Sequence, residues 1–236
     1  HDALTGLSNR ALFQNRLEQA ALVAASTRAQ VAVLFVDLDD FKEVNDSLGH
    51  AAGDQLLITV GRRIVEIAGP LNVVARTGGD EFAVLVEQVH DPADPELIAE
   101  RIVQALTEPF EVSDGTGGTH MVGGAASVGI ATSGDTDGIS ELLRRADVAM
   151  YVAKTDGKST WQPYRDELHD AMMHRLEMRS ALNEAVPGDQ MRLRFQPIVD
   201  LPTGDVVGVE ALVRWQHPHR GLLGPDEFIE LSEENG

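Results

Sequence analysis

The chain has 236 residues, 43% of them apolar and 24% charged, and no cysteine; these are the values of a folded globular protein, and they exclude a disulfide framework or a thiolate metal site. A formal net charge of -19 excludes nonspecific binding to nucleic acid or to an anionic membrane surface, because both need a cationic face. No apolar run approaches the ~18 residues of a membrane span and no signal peptide opens the sequence, so this piece is expected in the cytoplasm without membrane contact of its own, any anchor lying upstream.

Phe13, Leu17, Ala20, Ala21 and Ala24 recur at helical spacing after Asn9, a residue suited to N-capping, and predict a first helix from near Arg10. The short, continuously apolar run from Val31 to Val36 reads as a buried strand. Leu56, Leu57, Val60, Ile64 and Ile67 mark a second amphipathic helix. The segment VVARTGGDEFAVLV, Val73 to Val86, then reads as two strands joined by a tight turn at Gly78-Gly79. A third helix runs from about Ala93 to Leu106. Phe110 to Ile130 holds two strand-like segments around the glycine-rich stretch Asp114 to Gly118, and a periodic helix from Ile139 ends near Gly157. Hairpins set between helices predict an α+β layer, a mostly antiparallel sheet flanked by helices, rather than a doubly wound parallel fold.

From Arg165 to Val186 charged residues interleave with Leu168, Met172, Leu176 and Leu182, which reads as a connecting helix stopped by Pro187-Gly188. Leu193 to Leu201 and Val206 to Trp215 read as strands around Pro202-Thr203-Gly204, with a short helix after Pro225. The expected division is therefore 1–164, a connecting helix over 165–186, and a tail over 187–236.

The chemistry concentrates where apolar runs end in carboxylates. Asp37 directly follows the buried strand, and Asp39 lies two residues on, on the same side if the strand continues. Asp39 or Asp40 alone is equally consistent with the N-cap of a helix starting at Phe41. Asp80 and Glu81 open the second strand of the hairpin, where a carboxylate pair repels itself unless a cation or a donor compensates. If the hairpin pairs beside the first strand, Asp37, Asp80 and Glu81 converge into a hard oxygen site suited to Mg²⁺ or Mn²⁺. Divalent ions of that kind commonly accompany phosphates, and Gly78 and Gly79 leave room for a nucleotide to approach the backbone.

RTGGDEF, with DLDDFKEVNDSLGHAAGD from Asp37 to Asp54, DALTGLSNR from Asp2 to Arg10, SVGIA from Ser127 to Ala131 and ADVAMYVAKTDGK from Ala146 to Lys158, resembles the GGDEF family of diguanylate cyclases. The resemblance covers residues 1 to 164. It implies a palm-like nucleotide cyclase fold, and condensation of two GTP molecules into cyclic di-GMP with release of pyrophosphate, across a homodimer. It implies two Mg²⁺ (or Mn²⁺) ions per site, held by Asp37, the Leu38 carbonyl, Asp80 and Glu81, with Asp80 also helping to deprotonate the ribose 3′-hydroxyl. Asn45 and Asp54 would read the guanine edge. Phe41 and Lys42 would contact the β and γ phosphates, and Lys154 and Lys158 would complete the clamp. On a helix considered alone Lys154 would read as solvated; its place in the motif assigns it to phosphate.

Two departures stand out. Lys158-Ser159 occupies a place where many members carry Arg-Asn, so a point charge replaces a bidentate grip. The Arg-x-x-Asp inhibitory site of many cyclases corresponds here to Gly69-Pro70-Leu71-Asn72, and product inhibition through it is not expected.

The tail resembles the beginning of an EAL phosphodiesterase domain, with Gln196-Pro197-Ile198, Glu210-Ala211-Leu212 and Arg214-Trp215 in order. There Glu210 would ligate a metal and Arg214 contact a phosphate. Such a domain is a TIM-type barrel of at least about 200 residues, so this piece is an incomplete start and no phosphodiesterase activity is expected of it. His217 and His219 are expected to be solvated. Two strands and a helix are not expected to close a core. The remaining alternative for the whole is a silent GTP-binding module that regulates an adjacent phosphodiesterase; a nuclease or polymerase palm is disfavoured by the acidity.

Overall fold

The computed structural model describes all residues except 28, 114–117, 135–137, 186, 230–231 and 233–236. The chain forms two compact units, His1–His169 and Asp170–Gly236.

Helix α1 (Arg10–Thr27) starts where Asn9 Oδ1 accepts the Leu12 N–H at 2.9 Å, the expected cap. Strand β1 (Gln30–Leu38) follows, then helices α2 (Phe41–Leu48) and α3 (His50–Ala68), divided at Gly49 with φ +82°. The hairpin is β2 (Val73–Gly78) and β3 (Glu81–Val89), and α4 (Asp94–Leu106) comes next. Strands β4 (Phe110–Ser113), β5 (Thr119–Val122) and β6 (Ala126–Thr132) lead into α5 (Ile139–Thr155) and the short β7 (Trp161–Pro163). The main sheet has the order β2-β3-β1-β6-β7, antiparallel except for the β6–β7 pair.

Strand β1 is central and buried on both faces, which is why it reads as an unbroken apolar run rather than an alternation. Ala32, Leu34, Val36 and Leu38 join Leu57, Val60, Ile64, Ile102 and Leu106 on the α3–α4 face. Val31 and Val33 join Phe13, Leu17, Leu142 and Ala146 on the α1–α5 face. The segment from Phe110 to Ile130 departs from expectation by holding three strands. Strands β4 and β5 make a separate two-stranded hairpin, and β6 belongs to the main sheet. Residues 114–117 of the expected glycine-rich turn lie outside the described residues.

The second unit contains most of α6 (Asp166–Ala185), the strands β8 (Met191–Val199), β9 (Val206–His217) and β10 (Gly221–Leu223), and a 3-10 turn at Pro225–Glu227. The short helix expected after Pro225 shows in its described residues, Ile229 and Ser232, with the Ser232 N–H donating to the Phe228 carbonyl at 3.0 Å. Contrary to expectation it closes a small core, with Met178, Leu182 and Ala185 of α6 against Trp215, Leu223 and Phe228. Trp215 is fully buried, and its indole N–H donates to Gln190 Oε1 at 2.9 Å. The helix and the third strand supply what the two strands lack. Beyond Trp215 the same sheet face is bare, with Leu193, Phe195, Val207 and Val209 exposed.

His217 is buried rather than solvated. Its Nδ1 accepts the N–H groups of His219 at 3.1 Å and Arg220 at 3.2 Å, and its ring meets Trp215 edge-on at 4.9 Å. Burial, helped by the neighbouring Arg220 and His219 charges, holds its pKa below the usual value.

Candidate active site

The alternation along β1 that sends Val31 and Val33 to the α1–α5 face sends Asp37 there too. In the β1–β3 ladder Asp37 pairs directly with Glu81, and Leu38 N–H donates to the Asp80 carbonyl at 3.3 Å. Like charges directly opposite on neighbouring strands destabilise a sheet. Asp37 is only 5% exposed. Its Oδ2 takes Lys154 Nζ at 2.7 Å, while its buried Oδ1 has no hydrogen-bond partner among the described residues. Burial raises the Asp37 pKa to about 6; Lys154 opposes the shift, and the Asp80 and Glu81 charges reinforce it. Glu81 is exposed and lines a cleft of about 350 Å³ between α1 and α5.

A buried, unpartnered carboxylate oxygen beside two more carboxylates, without sulfur or imidazole, is a donor set that suits a hard divalent cation. Among the described residues no three His, Cys, Asp or Glu side chains stand close enough together to hold a metal ion as they are, so Asp80 and Glu81 would have to turn toward Asp37 to share one. The cation that Asp37 does hold is Lys154.

The hairpin tip is set by partners distant in sequence. Gly78 pairs with Glu81, so Gly79 and Asp80 make the turn, and Gly79 takes φ +44°. A Cβ at Gly78 or Gly79 would meet open space, so the tip is accessible. Arg76 grips the Gly79 carbonyl with Nε at 2.9 Å and Nη2 at 2.6 Å, and reaches Asp2 with Nη1 at 3.2 Å. Burial by itself would raise the Asp2 pKa, but hydrogen bonds from Thr5 and Arg76 bring it below the usual value. Sequence reasoning missed Asp2 and Arg76 as positioning residues. Their signals were the DALT turn and the arginine just ahead of Gly-Gly.

Neither Asp39 nor Asp40 is a simple helix cap. Asp39 accepts Ser127 Oγ–H at 2.8 Å and Ser159 N–H at 2.9 Å. Asp40 makes no side-chain cap, takes φ +57°, and holds Lys158 Nζ at 2.6 Å, a hydrogen bond that raises the Lys158 pKa. Lys158 and Ser159 are also left-handed, with φ +61° and +49°. Thus the turn after α5 is tied to the turn after β1. On α2, Phe41 is half-buried and Lys42 exposed. Asn45 lies against Gly53 of α3, whose neighbour Asp54 is exposed.

The profile described as "Diguanylate cyclase, GGDEF domain" matches residues 1–160. The chain belongs to the GGDEF family. An EAL domain profile matches residues 179–236, so a partial EAL domain follows. Over its whole length the chain is 41% identical to the bifunctional diguanylate cyclase/cyclic di-GMP phosphodiesterase MucR of Pseudomonas aeruginosa and 40% identical to that organism's cyclic di-GMP phosphodiesterase NbdA. It is 39% identical to the cyclic di-GMP phosphodiesterase PdeR of Escherichia coli. It spans about a third of the length of these relatives: 34%, 30% and 34%. The solved GGDEF domain of TpbB (YfiN) from P. aeruginosa superposes with TM-score 0.69 at 41% identity, over 73% of this chain and 99% of that one. The palm-like GGDEF fold is thereby shown.

In the EAL part, Gln196 pairs directly with Glu210, and Arg214 follows on the same sheet face, away from Trp215. In the stretch expected to correspond to the inhibitory motif, Gly69 follows the end of α3 with φ +77° and Asn72 Nδ2 donates to the Ala68 carbonyl at 2.7 Å. Among the described residues no helix is long and apolar enough to cross a membrane.

Proposed function

We propose that the GGDEF unit condenses two GTP molecules into cyclic di-GMP, in a homodimer that brings two such sites face to face. The observation that carries this reading is the pairing of Asp37 with Glu81, with Asp80 at the adjoining turn. In a chain of net charge -19, three carboxylates gathered at one strand end need cations to be tolerated. Asp37, the Leu38 carbonyl, Asp80 and Glu81 would hold two Mg²⁺ or Mn²⁺ ions, which when bound activate the attacking hydroxyl and offset charge developing at phosphorus.

The remaining roles belong to the chain's own side chains. Asp80 helps to take the proton from the ribose 3′-hydroxyl; each 3′-oxygen then bonds to the partner nucleotide's α-phosphorus as the bond to pyrophosphate breaks. Asp54 accepts from guanine N1–H and N2–H₂, a pattern adenine lacks, and Asn45 completes the edge. Phe41 and Lys42 border the β and γ phosphates. Lys154 and Lys158 close on them after leaving Asp37 and Asp40. Gly78 and Gly79 leave the backbone accessible to the nucleotide.

A second reading has support of its own: a GTP-binding module that governs an adjacent phosphodiesterase. It is favoured by the names of NbdA and PdeR, both phosphodiesterases, and by the engagement of both motif lysines with aspartates. Incubation with Mg²⁺ and GTP, resolved by chromatography, separates the two. Cyclic di-GMP formation, lost in Asp80→Asn, is the expected result. Nucleotide binding without product at high protein concentration would establish the regulatory reading instead.

A further inference from the structure

The acidic site contains a cation that belongs to the chain. Lys154, in the last turn of α5, places Nζ 2.7 Å from Asp37 Oδ2, although its side chain is 37% exposed and has water within reach. A strongly hydrated ammonium gives up part of its hydration only where charge density compensates. Asp37 is buried opposite Glu81 and close to Asp80, which supplies that density. We propose that Lys154 is the resident counter-ion of the metal-free site. A divalent cation must displace it from Asp37, and the released lysine is then free for nucleotide phosphate. The inference rests on the reading of Asp37, Asp80 and Glu81 as metal-binding.

The fold dictates how the exchange occurs. Gly129 of β6 packs so tightly on α5 that a Cβ there would collide with the Met150 N and the Ala146 carbonyl oxygen. The helix is therefore pinned one turn before Lys154. Beyond it, the following turn is held by Lys158 on Asp40 and by Ser159 N–H on Asp39. With the backbone fixed on both sides, Lys154 leaves Asp37 by rotation of its four-carbon stem. The buried Asp37 Oδ1, with no hydrogen-bond partner among the described residues, shows that the ammonium satisfies only half of the carboxylate, leaving a divalent ion with more donors to gain.

The test is binding of Mn²⁺ alone, without nucleotide, at about pH 8, followed by electron paramagnetic resonance. Lys154→Met keeps the length of the side chain and removes the charge, and is expected to bind Mn²⁺ about tenfold or more tightly than wild type. Lys154→Arg should stay near wild type. Lys158→Met, a charge removed nearby but held by Asp40, should change affinity by less than about threefold. Equal Mn²⁺ affinity in wild type and Lys154→Met overturns the inference and leaves the metal reading standing; no binding in either overturns both. Amine labelling of the wild-type protein, read by mass spectrometry, needs no variant. Lys154 should react several-fold faster once Mn²⁺ is bound, and an unchanged or slower rate with metal bound would refute displacement.

Discussion

Asp37 is costly to the fold because of where it sits. Burial, opposed by Lys154 and reinforced by Asp80 and Glu81, carries its pKa from 3.8 to about 6. Between those values the folded protein retains a proton that the unfolded chain has lost. The contribution of Asp37 to stability therefore falls as pH rises through the window from about 4 to about 6, and the full cost is present above it. A shift of this size corresponds to roughly 3 kcal/mol. In metal-free buffer Asp37→Asn should be more stable than wild type to urea at neutral pH by about 1–3 kcal/mol, with the gap closing near pH 4. A gap of the opposite sign would show that the Lys154 pair outweighs the burial cost. A second residue-scale case is Gly53, where a Cβ would collide with Asn45 Oδ1 and crowd the Phe41 ring at 3.2 Å. Gly53→Ala should raise the KM for GTP about tenfold with a smaller effect on kcat, because it moves the proposed guanine reader and spares the carboxylates. An unchanged KM would remove Asn45 from that role.

At the scale of elements, local signals were the legible ones. The Asn9 cap, the apolar run of β1 and the Gly-Gly turn each act within a few residues of themselves. The facing of Asp37 and Glu81 was legible only conditionally, since it depends on β3 pairing with β1. Strands β5 and β6 read as one segment in the sequence, and the break between them falls at Gly123 and Gly124; at Gly124 a Cβ would collide with the Phe110 ring and the Leu106 carbonyl oxygen, a packing constraint from distant residues. The Asp2–Arg76 and Lys154–Asp37 pairs join distant stretches, and ion pairs leave no periodicity to find. The connection from α3 to β2 carries its own prediction. Asn72 is used to hold the Ala68 carbonyl, and neither Gly69 nor Asn72 offers a charge to a cyclic dinucleotide. Turnover should therefore continue undiminished in low-micromolar cyclic di-GMP, measured as the initial rate of pyrophosphate release. Inhibition at that level would require a different binding site.

For the whole molecule, the two units have very different reserves. The larger is built on two extensive buried clusters, one on each side of its sheet. Among the described residues the smaller depends on six buried side chains, with Trp215 the largest. Trp215→Ala should cost about 3–5 kcal/mol, more than so small a cluster is expected to withstand. Limited proteolysis of this variant should cut throughout the segment after His169 and leave the preceding unit intact; cleavage in both would show that the units unfold together.

The bare apolar face beyond Trp215 bears on how any measured mass is understood. Pro197 and the arginines at 192 and 194 discourage a further strand from adding beside β8, but Leu193, Phe195, Val207 and Val209 leave the flat of the sheet adhesive. Copies stuck together there would weigh as much in a scattering experiment as a productive pair, yet their proposed nucleotide sites need not meet. Kinetic order in enzyme concentration, compared before and after lysine is placed at 193 and 195, tells the counterfeit from the working assembly.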